Sequence, residues 1–169
     1  MKDIENRPLS ALTSSIAMFR VVCRNSGGVI CGEITNASFN KAIAFSDLGQ
    51  MLLAIDDMCE TMQFPMADTK PRFLNDKTAR DLQPLAEMMN DSFKEYTPCE
   101  WAGKLQMPSG KAVSSSSPKK GITFFIHVMY RQHSSMQGLV LHKSKASQKA
   151  CFRSGLELIR MMDSFLNND

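Results

Sequence analysis

The chain carries one tryptophan and two tyrosines in 169 residues, has no Cys-x-x-Cys pair, and contains no apolar run near the about 18 residues that span a bilayer. No membrane span is therefore expected. Its N-terminus, Met1 to Phe19, lacks the charged-then-apolar layout of a secretion signal, so cytoplasmic residence is the expectation. Gly-x-Ser-x-Gly, a phosphate-binding glycine loop, His-Glu-x-x-His and the dinucleotide fingerprint are all missing, which removes the common motif-bearing enzyme classes. The five cysteines form an odd set, and His127, His133 and His142 do not stand at ligand spacing beside them. Reduced, core-filling thiols are expected, with no metal and no cofactor. One-sided charge is also lacking. A net charge of +3 permits an anionic partner without demanding one.

What is present is pattern. From Met18, Phe19, Val21 and Cys23 alternate with Arg20, Val22 and Arg24, the period of a half-buried strand. Asn25-Ser26-Gly27-Gly28 is a turn cluster, Val29–Thr35 a second strand, and Lys41–Phe45 a short third one. Gly32 marks a bulge or a close backbone approach. Asp47 with Gln50 reads as a capping box for a helix whose apolar stripe runs Leu48, Met51, Leu52, Ile55, Met58, Cys59 and Met62. Phe64-Pro65 ends it. A second helix is expected over residues 81–94, with Pro84 in its first turn. A Ser- and Lys-rich stretch up to Gly121 reads as a flexible loop.

From Thr123 the first pattern returns: strand, turn, strand, turn, strand, and a helix capped by Ser154 with Glu157. Arg24 to Phe45 and Arg131 to Phe152 span the same 21 positions, and Arg24 to Asp56 and Arg131 to Asp163 the same 32. The intervals and matched caps predict an α+β protein made of two tandem βββα units, an internal duplication. The expected divisions are an N-terminal arm (1–16), the first unit (17–64), a connecting segment with one helix and the flexible loop (65–121), and the second unit (122–169), all in one compact domain. Two meanders joined edge to edge would give a six-stranded antiparallel sheet or a barrel-like core.

On the first strand of each unit the polar positions are Arg20 and Arg24, and His127 and Arg131. If helices cover one sheet face, these four are expected together on the other. Guanidinium groups suit carboxylates and phosphates, so an anionic small molecule or a protein partner is the expected ligand. The competing assignment ties Arg24 and Arg131 to Glu33, Asp56 or Asp163 as structural ion pairs. Lys111, Lys119 and Lys120 would extend the face for nucleic acid, a partner whose binding falls steeply with salt. A binding or regulatory protein is favoured over an enzyme, with self-association through a sheet edge or helix face as a homodimer.

The C-terminal stretch, from Thr123 to Leu166, resembles the ends of small uncharacterised proteins of anaerobic, gut-type Firmicutes. The similarity rests on a strand ending in Arg131-Gln132, the central Gln137-Gly138, and the helix start Phe152-Arg153-Ser154-Gly155-Leu156-Glu157-Leu158. It covers about the last 45 residues. Met136 stands where that pattern has an aromatic. The resemblance implies a fold unit and a bacterial cytosolic setting. It carries over no activity and no functional residue.

Overall fold

The computed structural model describes residues 16–70, 72, 74, 81–91, 121–143 and 149–167. In order these form β1 (Met18–Ser26), β2 (Val29–Thr35), β3 (Ile43–Phe45), α1 (Leu48–Met62), α2 (Gln83–Glu87), β4 (Ile122–Gln132), β5 (Ser135–His142), β6 (Lys149–Phe152) and α3 (Gly155–Asn167). The six strands make one antiparallel sheet in the order β3-β2-β1-β4-β5-β6. The fold is α+β. The sheet is open rather than barrel-like, because the two meanders meet only through β1 and β4, where Met18 pairs with His127 and Cys23 with Ile122. That pairing leaves β3 and β6 at opposite edges.

α1 and α3 cover one face of the sheet. Phe19, Val21 and Cys23 of β1, and Phe124, Ile126 and Val128 of β4, join Met51, Ile55 and Met58 of α1 and Leu158 and Met162 of α3 in a single core. Alternation along the strands selects these residues, and the helical stripes supply the other half. Phe165 of α3 closes on Phe124 edge-to-face at 5.5 Å and lies 4.4 Å from the His142 ring.

The helix ends follow from their caps. The Asp47 side chain accepts from Gln50 N at 2.8 Å, while Gln50 Oε1 accepts from Ser46 N at 3.1 Å. At α3 the Ser154 hydroxyl accepts from Glu157 N at 3.1 Å, and Glu157 Oε2 accepts from Arg153 N at 2.7 Å. In both cases the returning carboxylate or amide reaches the residue before the cap. At its other end α1 is closed by Gln63 in the left-handed region, φ 53°. Among the described residues of 81–94, the expected helix is broken: the five-residue α2, with Pro84 in its first turn, ends before Met88, and Asp91 is helical again. α2 stops because the chain pairs with the β2–β3 connection instead: Asn40 N donates to Met88 O at 2.9 Å and Asn90 N to Ser38 O at 2.8 Å. Residues 92–94, the N-terminal arm up to residue 15 and the Ser/Lys loop of 101–120 lie outside the described residues. Among the described residues, no helix is long and apolar enough to cross a membrane.

Candidate functional site

The sheet face away from α1 and α3 carries the alternate positions of each strand. On β1 these are Met18, Arg20, Val22 and Arg24, flanked on β2 by Thr35, Glu33 and Cys31. On β4 they are Thr123, Phe125 and His127, which stand beside Leu141 and Leu139 of β5. Arg20 is exposed, next to Phe125 in register and diagonal to His127. Arg24 is half-buried. Its Nε lies out of solvent and makes no hydrogen bond to the protein. Glu33 sits opposite Val22, between the two arginines, and no ion pair joins it to a described residue. Burial holds the His127 imidazole below its ordinary range.

Arg131 is elsewhere. Its pairing partner on β5 is Met136, and the register shifts between Val128 and Tyr130, which leaves Met129 as the extra residue of a β-bulge. An extra residue reverses the alternation. Tyr130, 51% exposed, turns out, and Arg131, 5% exposed, turns in beneath α1. There its Nε donates to Asp56 Oδ1 at 3.0 Å, Nη2 to Glu60 Oε2 at 2.9 Å, and Nη1 to the Pro65 carbonyl at 3.2 Å. So Arg20, Arg24 and His127 share a face as expected, and the fourth residue does not join them. The sequence showed no sign of the bulge, since Met129 suits either side of a strand. Lys111, Lys119 and Lys120 lie outside the described residues.

No family model, curated protein or solved structure matches this chain. What the face can do therefore rests on its own chemistry. It joins two guanidinium groups to an apolar strip of Phe125, Leu139 and Leu141. Among the described residues no group of three His, Cys, Asp or Glu side chains could hold a metal ion.

A second concavity, missed by the sequence reading, lies on the helix side. It has a volume of about 950 Å³ and runs between α1, the β4–β5 turn, the start of α3 and the residues Ala67, Thr69, Lys70 and Arg72. Leu52, Leu53, Met136 and Leu156 give it an apolar floor, and Asp56, Glu60 and Arg131 line it as one ion-paired group. Lys70 and Arg72 stand at its rim. The segment they belong to is held to the hairpin: Asp68 N donates to Arg131 O at 3.1 Å, the Asp68 carboxylate accepts from His133 N at 3.0 Å, and the Thr69 and Ser134 hydroxyls lie 2.9 Å apart. No continuous apolar stripe joins residues 67–72 to the two helices in sequence, so periodicity gave no signal for this groove.

Proposed function

We propose that the chain is a small binding or regulatory protein that engages an anionic ligand, or an acidic patch on a protein partner, through the face of its sheet turned away from α1 and α3. The observation that carries this is the pair on β1: Arg20 exposed, and Arg24 half-buried with an unpartnered Nε. A guanidinium Nε–H out of solvent without an acceptor is costly, and a bound carboxylate or phosphate would remove the cost. The neighbouring Phe125, Leu139 and Leu141 offer apolar contact around the charge, the composition of an interface core with Arg anchors. Arg131 has no part in this face, because its charge is used between α1 and β4. Cytosolic residence and homodimerisation through an exposed sheet edge belong to the same proposal.

We further infer that the two βββα units are an internal duplication. Several matches support it beyond the element order. Gly32 and Gly138 each sit so close to the neighbouring strand that a Cβ would lie 1.9 Å from Val22 O or His127 O, with Phe45 or Phe152 on the other side. Both hairpins turn on two residues of positive φ, Gly27-Gly28 and His133-Ser134. On this alignment Cys23 matches Val128, and Asn25 takes the place of Arg131. Asn25 Nδ2 reaches Asn167 Oδ1 at 3.4 Å, as Arg131 reaches Glu60, so a polar pair stands where the other half has an ion pair.

The test is an NMR titration with tripolyphosphate at low salt. Saturable shifts at Arg20, Arg24 and His127, lost in Arg20→Ala/Arg24→Ala with the melting temperature unchanged, are the expected result. Shifts confined to other surfaces count against this face. Nucleic acid, the alternative partner, is tested with a single-stranded 20-mer: contact with several phosphates requires a log–log salt slope of about −0.7 per phosphate.

A further inference from the structure

From the groove on the helix side we infer a second binding site, for a free amphipathic anion: an apolar body of small-molecule size carrying one carboxylate, phosphate or sulfonate head. The volume of about 950 Å³ lies at the upper end of the roughly 300–1,000 Å³ usual for small-molecule sites. The floor is apolar, and two of its leucines, Leu53 at 48% and Leu156 at 57%, are among the most exposed large hydrophobic side chains of the described chain. Apolar side chains left in water inside a concave site mark a place where something binds.

The charges choose the head group. Three carboxylates and three cations line the groove. Asp56 and Glu60 share the buried guanidinium of Arg131, at 3.0 and 2.9 Å, which leaves that part of the wall with one net negative charge and no free cation. Lys70 and Arg72 are exposed at the rim, and no ion pair links either to another described residue. An apolar body would therefore lie along Leu52, Leu53, Met136 and Leu156, with its anionic end at Lys70 and Arg72. A cationic amphiphile would meet the same floor with repulsion at the rim.

Dodecanoate below its micelle concentration is the probe, with dodecyltrimethylammonium as its opposite-charge control, both followed by NMR and calorimetry. Dodecanoate is expected to bind saturably with shifts at Leu53, Met136 and Leu156. The control should bind at least about tenfold more weakly. Arg72→Glu should weaken dodecanoate about tenfold, and Leu156→Glu, on the exposed side of α3, should abolish binding while the protein stays folded. If Leu156→Glu unfolds the protein, Arg72→Glu still decides. Equal binding of the two amphiphiles, no binding of dodecanoate, or an Arg72→Glu variant of unchanged affinity would overturn the inference. So would shifts confined to Arg20, Phe125 and Leu139, which assign the anion to the sheet face instead. Binding to anionic vesicles with no uptake of monomeric dodecanoate would likewise overturn it, since a lipid surface is then the partner.

Discussion

Cys23 and Cys59 are fully buried, and burial pushes each thiol up to about 12. For Cys23 the neighbouring Cys31 adds to the rise, and for Cys59 the Arg131 guanidinium opposes it without reversing it. Only the thiolate attacks a disulfide reagent, and a thiol of pKa about 12 is ionised to roughly one part in ten thousand at pH 8. Cys151 is exposed on the edge strand β6. With Ellman's reagent at pH 8, Cys151 is therefore expected to react readily, whereas Cys23 and Cys59 react only once guanidinium unfolds the chain. Peptide mapping of the labelled protein checks this, and labelling of Cys59 as fast as Cys151 in the folded state would contradict the core described above. The same logic of burial separates the arginines. Arg20 and Arg24 lie on the sheet face turned away from α1 and α3, with the Arg24 Nε unpartnered, while Arg131 spends its donors inside.

Two glycines set the spacing of the strands. At Gly138 a Cβ would lie 1.9 Å from His127 O and 3.1 Å from the Phe152 ring, and at Gly32 1.9 Å from Val22 O and 2.8 Å from Phe45. The first clash in each case is with backbone, which a side-chain rotation cannot relieve. Gly138→Ala and Gly32→Ala are each expected to cost about 2–3 kcal/mol in urea unfolding, the range of overpacked cores. A loss below about 0.5 kcal/mol would mean that the strands separate more easily than their register suggests. These elements were legible in the sequence wherever one local signal sufficed. Period-2 alternation placed β1 and β2, and Asp47 and Ser154 marked the helix starts because capping is a short-range bond. Gly32 was read as a bulge or a close backbone approach, and the close approach to Val22 is what the pairing shows. The bulge at Met129 was not legible, because it depends on how β4 pairs with β5 and not on any residue in it. Counting equal intervals across it matched Arg24 with Arg131, whereas on the duplication proposed above the strand registers would match Asn25 with Arg131. That single residue moved one quarter of the expected site to the other side of the sheet.

At the scale of the molecule, Arg131 ties the halves together. It belongs to the second meander, yet it bonds to Asp56 and Glu60 of α1 and to Pro65, all from the first half. The β1–β4 pairing and the shared core cross the same boundary. With no separable interface between them, the halves are expected to unfold together, giving one calorimetric transition whose enthalpy equals the van't Hoff value. Breaking a buried ion pair costs about 3–5 kcal/mol, but Asp56 and Glu60 side chains are 39% and 43% exposed and recover hydration when the arginine is lost. Arg131→Ala is therefore expected to destabilise by about 2 kcal/mol and to lower the single transition without splitting it. A variant that melts in two steps would show that Arg131 is what couples the halves. A variant that melts like the wild type would show that the seam between β1 and β4 carries the coupling alone. Because the same guanidinium forms one wall of the groove, its loss also leaves Asp56 and Glu60 as uncompensated carboxylates there. Dodecanoate affinity in a folded Arg131→Ala protein should then fall, which connects the scaffold role of this residue to the chemistry of the site it lines.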